Sequence, residues 1–148
     1  MESRIKLLQD YVNEAISKSD NPAKFYAHSH GVAAFCALLA KKRGLDGELA
    51  CAMGLLHDIF AVVHGTYENH DIGGAEMSKE ILEKMGNFSN DEIEIIFNAI
   101  VRHDMRDIVH EPYDEVLKDA DILCPYFTNM PKDINPVVAG RLKGLLNH

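Results

Sequence analysis

Four histidines and two aspartates in this sequence have the types and placement to hold metal ions: His28, His57, Asp58, His70, His103 and Asp121. Neutral imidazole and carboxylate are good ligands for first-row divalent ions. His57 and Asp58 stand side by side after the apolar run Leu49–Leu56, and burying such a pair is costly unless a charged or hydrogen-bonding partner receives it. His28 shares a helical face with Val32 and Cys36 by the i, i+4 rule, so it points inward. Asp121 lies between Leu117 and Leu123, His70 precedes a helix start, and His103 ends a helix. Six polar groups from five different helices or helix ends, each beside the expected core, need partners, and a shared cation would serve them all. His30, His110 and His148 read as bystanders, and His64, seven residues past His57, is open between a plain loop residue and one at the rim of a pocket.

The elements that must position these residues read as helical nearly throughout. Ile5, Leu8, Val12, Ala15 and Ile16 give residues 2–17 an amphipathic pattern. Asn21-Pro22 opens a second helix over about 22–43, closed by Gly44 after a basic last turn. Asp46 caps a third helix, predicted over 47–60, followed by a loop over 61–70 and a fourth helix over 71–85. Ser89-Asn90-Asp91-Glu92 spells a capping box for a fifth helix that ends near Arg102-His103-Asp104. Pro112 starts a sixth through about Tyr126, and Asn135-Pro136 opens a short last one. No stretch reads as a strand, repeat or linker, so the expected fold is an all-α bundle of six or seven helices in one domain.

Composition narrows the chemistry. A net charge of -8 over 148 residues argues against a broad nucleic-acid surface, which needs a basic face. It still permits a small anionic substrate, because bound cations can reverse the field inside a pocket. No run of 18 or more apolar residues and no secretory leader appear, so no membrane partner is expected. Cys36, Cys51 and Cys124 are scattered among apolar neighbours and fit a reducing compartment, hence the cytoplasm.

The pattern resembles the HD-domain superfamily of metal-dependent phosphohydrolases. The resemblance rests on His28, the pair His57-Asp58 and Asp121 within Asp119-Ala120-Asp121, with similar flanks in His28-Ser29-His30-Gly31-Val32-Ala33 and Ala52–Ile59. It covers about residues 22–128, the core of a single HD domain over 1–148. His70-Asp71-Ile72-Gly73-Gly74-Ala75 and Ile100-Val101-Arg102-His103 resemble segments of subgroups with a dinuclear centre. The subgroups that carry acidic residues just after the HD pair fit worse, because Ile59-Phe60-Ala61-Val62-Val63 stands there. Phe25 stands where dinucleoside-polyphosphate hydrolases usually carry an arginine.

The resemblance implies one metal on His28, His57, Asp58 and Asp121, and a second on Asp58, His70 and His103. One or two divalent transition-metal ions (Fe, Mn, Zn, Ni or Co) are the expected cofactors. Two such cations can ionise a bridging water toward a pKa of ~7 and clamp a phosphoryl oxygen. His57 and Asp58 are thus the catalytic candidates, with a metal-bridging hydroxide as nucleophile on a small phosphate ester or anhydride such as a nucleotide or dinucleotide. Lys24, His64, Arg102 and Arg106 are candidates for gripping the phosphate, and Asp119 for orienting a ligand histidine. An HD-type di-iron oxygenase and a non-catalytic nucleotide- or metal-binding sensor share the same donor set.

Overall fold

The computed structural model describes residues 2–129 and 134–147, and His148 lies outside them. Eight helices follow in order: α1 (Arg4–Ser17), α2 (Pro22–Lys42), α3 (Gly47–Leu56), α4 (Ile59–His64), α5 (His70–Met85), α6 (Asn90–Arg102), α7 (Pro112–Asn129) and α8 (Pro136–Leu146). There is no strand among the described residues. Side-chain caps stand at most helix starts. Ser3, Asn21, Asp46, Ser89 and Asn135 each accept from a backbone N–H of the first turn, and Ser89 with Glu92 completes a capping box.

The main departure from the sequence reading is a break in the expected third helix. Leu56 ends α3, Asp58 leaves the helical region at φ -108°, ψ 15°, and α4 occupies the first half of the expected 61–70 loop. Gly65, in the left-handed region at φ 71°, ends α4. At its far end α7 continues past Tyr126 to Asn129 although Pro125 lies inside it. The Thr128 hydroxyl donates to the Cys124 carbonyl within that last turn, at 2.8 Å.

Two glycines allow the close approaches that matter for the polar residues. A Cβ on Gly54 of α3 would sit 2.5 Å from Ala33 Cα, so α3 and α2 touch backbone to backbone. A Cβ on Gly31 of α2 would sit 2.5 Å from Cys124 Sγ, which admits α7 to the same face. Around these contacts Val32, Cys36, Ala52, Met53, Leu56, Ile96, Ile100, Leu117 and Ala120 form a fully buried apolar core. Burial of this kind, at roughly 25 cal/mol per Å² of apolar surface, is what holds the bundle together.

Candidate metal centre

Three histidine rings are locked by the same local device. His57 Nδ1 donates to Gly54 O at 2.7 Å, His103 Nδ1 to Ile100 O at 2.5 Å, and His70 Nδ1 to Tyr67 O at 2.7 Å. A carbonyl can only accept, so Nδ1 carries the hydrogen and the neutral ring presents an Nε2 lone pair inward. His57 and His103 stand in αR geometry just past the ends of α3 and α6, which aims both rings along the helix ends. His70 opens α5 after Asn69, whose left-handed backbone (φ 57°) turns the chain into that helix. Asparagine is among the few residues that accept this conformation readily.

The lone pairs converge with the carboxylates in two groups. In the first, His28 Nε2 lies 3.1 Å from His57 Nε2, 3.1 Å from Asp121 Oδ1 and 3.3 Å from Asp58 Oδ2. His57 Nε2 lies 3.3 Å from Asp121 Oδ1 and 3.4 Å from Asp58 Oδ2. In the second, His70 Nε2 lies 3.2 Å from His103 Nε2 and 3.8 Å from the other Asp58 oxygen, Oδ1. Donors bound at about 2.0–2.2 Å to one ion sit about 3.0–3.5 Å apart when adjacent in its shell. In the first group every distance from His28 and His57 meets that spacing, and Asp58 turns one oxygen to each group. Imidazole Nε2 atoms facing carboxylates at these distances fit divalent cations.

The electrostatics agree. Burial lowers the pKa of His28, but hydrogen bonds with Asp121 and Asp58 outweigh it and raise the group to about 12. Burial also opposes ionisation of Asp58, yet His57 and His28 hold its carboxyl down at about 2. Asp121 is likewise held well below the carboxylate range, against its burial, by His28 and His57. The centre therefore demands positive charge, and a proton on His28 is the least that satisfies it. This cluster is where the chain would hold divalent cations.

The family model for the HD domain matches residues 25–126. The chain belongs to the HD-domain family. Ribonuclease Y of Aquifex aeolicus (strain VF5) is 30% identical over 115 residues, 76% of this chain and 19% of that protein. Ribonuclease Y of Clostridium novyi (strain NT) is 35% identical over 94 residues, 63% of this chain and 17% of that protein. The chain thus spans about a fifth of the length of the curated relatives it matches. A solved structure of a predicted HD superfamily hydrolase from an uncultured Thermotogales bacterium superposes with a TM-score of 0.69, covering 96% of this chain and 87% of that one. At 22% identity this likeness shows that the two share the HD fold.

Around the HD centre the remaining candidates separate. A cavity of about 600 Å³ opens over both groups, with Lys24, Tyr67, Arg106, Thr128 and Asn129 in its wall. Arg106 donates to Asp121 Oδ2 at 2.8 Å while its buried Nε has no partner. Lys24 is exposed at the mouth, its Nζ 5.3 Å from the centroid of the Tyr67 ring. Two expected phosphate contacts lie elsewhere. Arg102 turns to the buried Asp114 at 2.7 Å, and His64 stacks on Phe60 with 4.5 Å between centroids, outside the cavity wall.

Asp119 also departs from its expected role. Among the described residues it pairs with no histidine, and instead accepts from Arg43 at 2.7 Å and from Arg141 at 2.9 Å. Two residues along a helix are ~200° of rotation, so Asp119 and Asp121 face opposite ways. A larger cavity of about 870 Å³ lies on the Asp119 side, but it contains none of the six donors. His30 pairs with Asn13 at 2.7 Å and His110 with Lys118 at 2.8 Å, both away from the centre. The residue that the sequence reading missed is Asp104, which faces His70 and His103 across 3.4 and 3.5 Å. The signal for it is a second His-Asp pair at a helix end, His103-Asp104, echoing His57-Asp58.

Proposed function

We propose that this HD domain is a two-cation phosphohydrolase that cleaves a phosphate ester or anhydride of a nucleotide-sized substrate. The observation that carries the reading is the division of Asp58, Oδ2 toward His28 and His57 and Oδ1 toward His70. A carboxylate placed this way could serve both groups if each held a cation. When bound, paired divalent cations supply Lewis acidity and lower the pKa of water enough to yield a nucleophile near neutral pH.

The protein's own side chains do the rest. His57, Asp58, His103 and Asp121 are nine-tenths or more buried, so the donors keep their geometry and bulk water is held off them. Arg106, already fixed by Asp121, presents a positive group in the cavity wall, and Lys24 adds another at the mouth. Both can bind phosphoryl oxygens and favour charge building up there in the transition state. The cavity volume lies within the range that holds small organic ligands and exceeds what orthophosphate alone needs. Likeness to Ribonuclease Y supports a ribonucleotide phosphodiester among the candidate substrates. Three free cysteines fit a reducing compartment such as the cytoplasm.

The test is an oxygen-free assay of the Mn²⁺-loaded protein. Nucleotides, dinucleoside polyphosphates, short oligoribonucleotides and simple phosphomonoesters would be offered. The expected result is release of phosphate or a nucleoside monophosphate, with a loss of about a hundredfold or more in Asp58→Ala. Absence of turnover on every substrate, together with oxygen consumption by the iron form, would replace hydrolysis with oxidation.

A further inference from the structure

We infer that Asp104 is itself a metal ligand, a fourth protein residue on the second cation beside Asp58, His70 and His103. The inference rests on the two-cation reading above and extends its donor set from six residues to seven.

Asp104 sits in the turn that follows α6, closed by bonds from Met105 N to Arg102 O at 2.9 Å and from Arg106 N to Asp104 O at 3.0 Å. The turn brings Asp104 Oδ2 to 3.4 Å from His70 Nε2 and Oδ1 to 3.5 Å from His103 Nε2. Both rings are locked with hydrogen on Nδ1, so in their neutral form these Nε2 atoms carry lone pairs. A carboxylate facing two lone pairs is an acceptor facing acceptors, and a cation between them turns repulsion into ligation. Among the described residues, His70 and His103 are the only ion-pair partners of the Asp104 carboxylate, although Lys24 and Arg106 line the same cavity.

Coordination number points the same way. Without Asp104 the second ion has three protein donors, and its nearest carboxylate, Asp58 Oδ1, is 3.8 Å from His70 Nε2. First-row divalent ions commonly take four to six ligands. Asp104 is nearer to His70 than Asp58 is, and it supplies the missing charged oxygen.

The chain builds the two ends alike. His57 and His103 each stand in αR backbone at a helix C-terminus, each donates Nδ1–H to the carbonyl three residues earlier, and each is followed by aspartate. The difference is exposure. The Asp58 side chain is 7% exposed and lies between the two groups, whereas that of Asp104 is 49% exposed and faces the cavity. Asp104 is thus the proposed donor on the cavity side of the second cation. Three carboxylates leave two dications with one net positive charge, enough to attract such a group.

The experiment is a Co²⁺ titration of the metal-stripped full chain, followed by calorimetry and by the visible ligand-field spectrum. The wild type is expected to bind two ions. Asp104→Asn should keep the first with unchanged affinity and weaken the second by about tenfold or more, with an altered spectrum for that ion alone. Asp104→Glu should recover most of the loss, and Asp107→Asn, an exposed acid three residues on, should match the wild type. Melting temperatures identify any variant that fails to fold. Two ions bound by Asp104→Asn with wild-type affinity and spectrum would overturn the assignment of Asp104 and leave the two-cation reading standing. A wild type that binds a single ion would overturn that reading and this inference together. Three ions in the wild type, falling to two in Asp104→Asn, would place Asp104 on a separate ion with His103 and Asp121 and overturn the assignment as stated. None of these readouts requires catalytic activity.

Discussion

At the scale of single residues, the division of Asp58 between two imidazole groups gives each histidine a distinct expected phenotype. Asp58→Ala removes an oxygen from both groups and should release most of the bound metal, while His70→Ala should release the second ion and keep the first. His30→Ala and His110→Ala should leave the metal content intact. Each loses one hydrogen bond, to Asn13 or Lys118, worth about 1 kcal/mol. Lys118 keeps the Ile108 carbonyl and Glu115 as partners after loss of His110. Elemental analysis of the dialysed variants beside their urea midpoints separates ligation from folding. Unchanged metal in Asp58→Ala would remove the ground for a shared site.

At the scale of elements, the centre depends on how closely α2, α3 and α7 approach. His28 belongs to α2, His57 to the end of α3 and Asp121 to α7, and no two of them are neighbours in sequence. Gly54 sets the first approach, since its Cβ position is 2.5 Å from Ala33 Cα and 2.7 Å from Ala33 N. Backbone cannot rotate aside as a side chain can, so Gly54→Ala must push the helices apart. We expect a cost of about 1–3 kcal/mol, together with weaker binding of the first metal as His28 and His57 separate. A denaturant melt and a metal titration on one sample read both effects. Full stability with full affinity would show that the crossing is less tightly set than the contact implies.

The α8 helix is attached differently. It buries one apolar side chain, Leu142, while Arg141 reaches Arg106 O at 3.0 Å, Asp119 at 2.9 Å and Glu115 at 2.9 Å. It is therefore pinned by polar contacts to the segment that carries Asp104 and Arg106.

At the scale of the whole molecule, the apolar stretch Gly47–His64 has the length and composition of a membrane-crossing helix. Yet 67% of it is buried inside the bundle, and the His57-Asp58 break divides it into two helices. It is the layer against which α1, α2, α5, α6 and α7 pack. The first helix is tied to this layer by charge as well as by apolar contact. Arg4 of α1 holds both oxygens of Glu92 in α6 at 2.8 Å and also pairs with Glu48 of α3.

The hydrogen bonds from Arg4, with help from Ser89, bring Glu92 from 4.5 down to about 2. A carboxyl with a depressed folded-state pKa stabilises fully above its unfolded value, and that stability is lost as pH falls from about 4.5 toward 2. The urea midpoint should therefore drop through that window, and Glu92→Gln should flatten part of the slope while leaving the bundle folded at neutral pH. An identical acid profile in Glu92→Gln would show that the pair contributes nothing to the coupling of α1 with α6.

The sequence by itself determined the all-α class and most helix starts, and it singled out the six side chains that the fold brings together in the candidate centre. Each of these is a short-range property. A cap needs only the next three residues, as Ser89 and Glu92 show, and periodicity tells which face of one helix is apolar, so His28 and Asp121 could be assigned inward. The tertiary structure decided what depends on rotation and approach between helices. It turned Asp119 away to Arg43 and Arg141, sent Arg102 to Asp114, left His64 outside the cavity and fastened Arg106 onto Asp121. These side chains are long or sit at helix edges, where one sequence permits several partners and packing selects among them. Asp104 lies beyond any apolar face, so periodicity is silent about it. Its place in the centre follows from the meeting of the α6 terminus with the start of α5, which juxtaposes His103 and His70 across 33 residues of chain.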